Sequence, residues 1–163
     1  MPMPVTIRRA EPRDLPEIQA LLHAFGRHLE RPEWVTGSAG ALEAALFGDP
    51  PSGHGHVAEL DGRVVGIALW FLTYNFWTTR PVLYLEDLYV DASARGSGAG
   101  EALLRALGAE AVARDCAWMS WAVLVTNGGA KRFYERLGAA HDPSWEVWRL
   151  EGDALTALGT GRN

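Results

Sequence analysis

At 163 residues, 48% apolar and with seven Trp, the chain is large enough to bury a core, and residues 1–163 read as one folded domain. A net charge of −5 with no basic stripe argues against a nucleic-acid binder. The single Cys116 excludes an internal disulfide framework and a cysteine-based zinc site, and fits a reducing cytoplasm; no apolar run is long enough to span a membrane.

Residues 5–9 read as a first strand. Asp14 is placed to cap a helix in which Leu15, Ile18, Leu21, Leu22 and Phe25 recur at helical spacing, ending near His28. Ser38 caps a second short helix that runs to Phe47 and stops at the Gly/Pro-rich stretch 48–53. Strands over 56–60 and 64–71 flank Asp61-Gly62, a hairpin signal, and 75–81 connects them to the next strand. A helix over 101–114, a buried strand over 118–125, a short helix over 129–137 closed by Gly138, a last strand over 145–150 and a final turn over 153–158 complete the chain. The order βααβββαβαβ predicts an α/β fold with a mixed sheet.

The most distinctive stretch is the apolar strand Tyr84-Leu-Glu-Asp-Leu-Tyr-Val90, followed by Arg95-Gly-Ser-Gly-Ala-Gly100 and then a helix. Such a unit offers free backbone N–H groups and the positive end of a helix dipole to an anion. The spacing alone also suits a plain turn. It is not a P-loop, because Glu101 follows Gly100 where Lys would stand. It is not a dinucleotide fingerprint either, because the next strand ends in Thr126-Asn127 rather than in an acid.

Glu86 and Asp87 are consecutive, so a regular strand would point them to opposite faces. In so apolar a strand at least one of them is partly buried, either as a structural carboxylate or as a working one. A carboxylate suits an amine substrate. An aliphatic amine is protonated at neutral pH, its deprotonation costs about 4–5 kcal/mol, and only the neutral form attacks a thioester.

Two spaced motifs carry a resemblance. Arg95-Gly-x-Gly-x-Gly100 with Leu103-Leu104, and Asn127-x-x-Ala-x-x-Phe-Tyr-x-x-x-Gly-Ala139, resemble the GNAT family of N-acetyltransferases. Tyr84-Leu-Glu-Asp-Leu88 and the closing Trp148-Arg-Leu150 resemble its spermidine/spermine and thialysine branch. The resemblance implies the GNAT fold, a mixed and splayed sheet flanked by helices, and acetyl-CoA as co-substrate. The pantetheine arm would lie along Leu88, Tyr89 and Val90. The pyrophosphate would lie on Arg95, Gly96, Ser97, Gly98, Ala99 and Gly100, with Asn127 on the cofactor arm. It implies Glu86 as base, Asp87 as a positioning acid, Tyr134 as the acid that protonates the departing thiolate, and Tyr74 and Trp77 as the wall of the acceptor pocket. The acceptor would be the primary amine of a small cation, attacked directly without a covalent acyl-enzyme. The branch also implies a homodimer that meets through its C-terminal region.

Alternatives stay open at several residues. Asp87 can be structural, Asn127 a turn residue, Tyr134 a core tyrosine, and Tyr74 and Trp77 a loop packed on its neighbour. The acceptor can instead be an aminoglycoside or a peptide N-terminus, or the chain can be a silent acyl-CoA sensor. The branch carries an aromatic and an acid after its first helix where this chain has His28-Leu29-Glu30, and it often has Trp at Thr126. The five histidines show no metal spacing, and His54-Gly-His56 reads as a loop pair facing solvent. Trp118 and Trp121 read as core.

Overall fold

In the computed structural model residues 4–161 are described. The chain divides into two compact units, Met1–Ala122 and Val123–Asn163.

The first unit is built on a five-stranded sheet in the order β1-β2-β3-β4-β5. The strands are β1 (Thr6–Arg9), β2 (His54–Leu60), β3 (Arg63–Asn75), β4 (Arg80–Val90) and β5 (Met119–Ser120). Neighbours from β1 to β4 run antiparallel, and β5 lies parallel to β4, so the sheet is mixed as the element order predicts. Asp61 and Gly62 both take positive φ, 52° and 74°, the geometry that lets a two-residue turn match the twist of a hairpin. The connection expected over 75–81 is shorter. Residues 76–79 turn tightly, and β3 and β4 pair all the way to Asn75 and Arg80.

Helices cover both faces. α1 (Leu15–His28) carries Ile18 and Leu21 onto Val57, Ile67, Leu69 and Tyr89. Burying each such aliphatic side chain stabilises the fold by about 1.5–3 kcal/mol. Ser38 caps α2 (Ala39–Phe47) as expected, its Oγ accepting from the Ala41 N–H at 3.2 Å. Asp14 behaves differently from its expected cap role: its carboxylate accepts two bonds from Arg8, at 2.7 and 2.9 Å, and one from the Glu11 N–H. α3 (Ala99–Ala113) packs on the opposite face, which holds the buried Trp70, Leu83 and Leu85.

His54 and His56 are not a solvent-facing loop pair. They open β2, and both rings lie on Trp70, with centroids 4.6 and 6.1 Å away. His56 is 6% exposed and accepts from the Trp70 indole N–H at 3.1 Å. Burial, with Arg9 beside it, pushes its pKa down to about 4, so the ring stays neutral. Trp118, expected in the core, is 45% exposed. The strand predicted over 118–125 shrinks to Met119–Ser120, because β5 pairs with β4 only at Leu83 and Tyr84.

The second unit contains α4 (Gly128–Arg136), followed by Gly138 at φ 89°, and α5 (Gly152–Thr160), which extends the expected final turn into a helix. The strand predicted over 145–150 is absent: these residues form no ladder, and Trp148 is 88% exposed. A strand needs a neighbour for its backbone groups, and among the described residues no strand pairs with this segment.

Candidate active site

The sheet splays beside the glycine turn. β5 ends opposite Tyr84, so Leu88, Tyr89 and Val90 have no β5 partner on that edge of β4. An extended arm can add there as a strand does. Beyond Val90 a short turn, Ala92–Ala94, leads into Arg95 and the N-terminus of α3. Gly96 and Gly98 take φ of 81° and 86°, which side chains rarely adopt, and Gly98 is the N-cap of α3. A Cβ at either glycine would meet nothing within 4 Å, so the space above the turn is open. The first N–H groups of α3 point towards such a space, with the positive end of its dipole. Of the expected phosphate set, Arg95 to Gly98 form this turn, and Ala99 and Gly100 open α3.

The carboxylates are placed by a β-bulge. Leu69 pairs with Asp87 and Trp70 with Leu85, which leaves Glu86 as the extra residue of β4. Leu69 and Trp70 lie on opposite faces, so Leu85 and Asp87 do too. The regular alternation is broken at Glu86, which is exposed, while Asp87 beside it is half-buried. The opposite-face expectation assumed a regular strand, and the bulge interrupts that regularity at Glu86. Burial, reinforced by the Glu86 charge, pushes Asp87 up to about 6. A carboxylate in that range gains and loses a proton near neutral pH.

An aromatic pair adjoins the carboxylates. Tyr84 stands opposite Phe71 across the ladder, their rings 5.2 Å apart. Burial raises the Tyr84 pKa, and the charges of Glu86 and Asp87 raise it further. Sequence reasoning treated Tyr84 only as strand. Its place two residues before Glu86 was an available signal, whereas Phe71 becomes visible only with the register. Tyr74 and Trp77 stand elsewhere. Tyr74 pairs with Pro81, on the face of Trp70, five residues from Leu69. That is about 17 Å along the strand at about 3.4 Å per residue. Trp77 is on the hairpin tip and 88% exposed. The structure does not bring these two to the carboxylates.

In the second unit, Asn127 caps α4, its side-chain oxygen accepting from the Ala130 N–H at 3.2 Å. Tyr134 is half-buried on α4 with its ring 5.3 Å from that of Phe133. Burial raises its pKa above the usual tyrosine value, so the phenol keeps its proton at neutral pH. Among the described residues no group of three or more His, Cys, Asp or Glu could hold a metal ion.

The Acetyltransferase (GNAT) family model matches residues 17–139. The chain belongs to the GNAT acetyltransferase family. It is 32% identical over 165 residues to the thialysine N-epsilon-acetyltransferase of Bos taurus, covering 94% of this chain and 96% of that protein. It is 32% identical over 151 residues to the human spermidine/spermine N(1)-acetyltransferase-like protein 1, covering 88% of this chain and 22% of that longer protein. Its fold matches an integron cassette protein from the mobile metagenome of V. cholerae with a TM-score of 0.81 at 25% identity, over 96% of this chain and 98% of that one. The protein is an N-acetyltransferase, and members of this family use acetyl-CoA as co-substrate. Among the described residues no helix is long and apolar enough to cross a membrane.

Proposed function

We propose that this protein transfers the acetyl group of acetyl-CoA to the primary amine of a small cationic acceptor, a polyamine, a diamine or a lysine-like amino acid. The observation that carries this is the bulge at Glu86, which sets an exposed carboxylate next to the half-buried Asp87 and within electrostatic reach of it and of Tyr84, itself paired with Phe71. Two adjacent carboxylates attract an alkylammonium, and aromatic rings accept its chain through apolar and cation–π contact. The thialysine and spermidine/spermine names of the relatives support such an acceptor.

In this account acetyl-CoA supplies the activated acetyl thioester. Arg95 and the backbone from Gly96 to Gly100 hold its phosphates, the β4 edge at Leu88, Tyr89 and Val90 holds its arm, and Asn127 contacts that arm. Glu86 takes the proton of the bound ammonium, directly or through water. Asp87 positions the amine and shares the proton load near neutral pH. Tyr134, protonated at neutral pH, gives its proton to the leaving sulfur. Tyr74 and Trp77, out along the hairpin, take no part near the reacting amine. We read residues 1–163 as one acetyltransferase domain in the cytoplasm, a setting that the free thiol of Cys116 suits.

We also read the protein as a homodimer. Trp145, Val147 and Trp148 are 70%, 87% and 88% exposed in a segment without a ladder, and an interface between copies would cover them. The acceptor is tested by offering diamines, polyamines, thialysine, an aminoglycoside and a peptide with a free N-terminus, and reading CoA release for each. Activity confined to the peptide or the aminoglycoside would replace the small-cation acceptor.

A further inference from the structure

Arg95 is held in an unusual way for a surface arginine. Among the described residues no carboxylate lies within ion-pair distance of it. Its guanidinium instead meets two neutral groups. Nη2 lies 3.3 Å from Nδ1 of His28, and Cζ lies 5.9 Å from the centre of the Tyr89 ring. His28 ends α1, and its ring leans on Tyr89 at 6.0 Å. Tyr89 is itself fixed: it is 7% exposed and stacks on Phe25 at 5.2 Å. A chain of contacts thus runs from the core to the cation of the glycine turn.

The choice of partner has a chemical consequence. An Asp or Glu at position 28 would fix Arg95 but neutralise it. A neutral imidazole accepting at Nδ1 orients the guanidinium and leaves its charge available. Burial and the charge of Arg95 both lower the pKa of His28, which keeps the ring in the accepting form. Arg95 is the charged group that acts on His28, and the Tyr89 ring is its neutral neighbour from β4.

We propose that His28 is a positioning residue for the co-substrate, a neutral acceptor that holds the Arg95 guanidinium in place for a phosphate without cancelling its charge. This rests on the proposed phosphate role of the glycine turn. It also gives a use to the position where the polyamine branch differs from this chain.

The test is a double-mutant cycle read by calorimetry with CoA as the probe. His28→Phe keeps a ring against Tyr89 and removes the acceptor. His28→Gln keeps an oxygen that can accept. Loss of one orienting hydrogen bond predicts CoA binding about three- to tenfold weaker in His28→Phe. Binding should return to near the parent value in His28→Gln. In an Arg95→Ala background His28→Phe should change nothing further, because its target is gone. If the two substitutions weaken binding independently and multiply, His28 does not act through Arg95 and the proposal is overturned. The same holds if Arg95→Ala weakens CoA binding while His28→Phe leaves it unchanged, but the phosphate role of the turn then survives. If Arg95→Ala itself leaves CoA affinity unchanged, the role given to Arg95 fails, and the positioning role fails with it.

Discussion

Asp87 should cost the protein stability at the pH where it works. Its folded-state pKa is raised from 3.8 to about 6, chiefly by burial and then by Glu86. A raised carboxylate pKa means that the folded state binds the proton more tightly than the unfolded state. Stability therefore falls as pH rises from about 4 through about 6, and the loss is complete above that window. A shift of about two units corresponds to about 3 kcal/mol, and solvent screening at this half-buried position reduces it to about 1–2 kcal/mol. Asp87→Asn removes the ionisation and keeps the shape. The variant should match the parent at pH of about 4, where both side chains are neutral, and exceed it by about 1–2 kcal/mol at pH of about 8. Urea unfolding of both proteins across this range measures the difference. The same variant should lose acetyl transfer, and the acid limb of the parent's kcat/KM should lie near the raised pKa of Asp87. A stability difference that does not change with pH would refute the buried, raised carboxylate. A gain confined to low pH would reverse its sign.

Further outcomes follow from the remaining parts of the site. Gly98→Val should strain the left-handed N-cap by about 1–2 kcal/mol and fill the open space above the turn, so calorimetry should show a sharp loss of CoA affinity in a protein that still melts cooperatively. Unchanged affinity would remove the turn from the cofactor site. Tyr134→Phe should bind CoA and acceptor normally while kcat falls about 10²–10⁴-fold at every pH, whereas the loss in Glu86→Gln should shrink as pH approaches the amine's own pKa of about 10. Parallel pH profiles for Glu86→Gln and the parent would leave Glu86 with a structural role. Light scattering at micromolar concentration should give the mass of a dimer, and a monomer there would remove the C-terminal segment from any interface.

Much of this was legible in the residues. The Asp61-Gly62 hairpin, the Ser38 cap, α1 and the strand–glycine turn–helix unit all stand where local chemistry places them, because each is set by a few neighbouring residues. What stayed hidden was non-local. The bulge at Glu86 depends on the register between β3 and β4, and it breaks the alternation that a regular strand would give the two carboxylates. Phe71 joins Tyr84 only through that register. The strand over 118–125 came out short and the one over 145–150 did not form for a related reason: a strand is completed by its partner, and an alternating apolar pattern does not name one. Trp118 reads as core by type, yet the early end of β5 leaves it 45% exposed. His56 misled in the other direction, since a histidine in a Gly-rich stretch reads as exposed until Trp70 is seen to cover it.

The central claim is acetyl transfer to a small cationic amine, and one assay tests it most directly. The protein is incubated with acetyl-CoA and, separately, thialysine, spermidine, a diamine and a peptide with a free N-terminus; thiol release is followed and each product is weighed by mass spectrometry. The account predicts CoA release coupled to one acetyl group added to a small cation, with an acceptor KM that rises with salt, because the attraction is electrostatic. No acetylation of any small cation, alongside clear acetylation of the peptide, would contradict it.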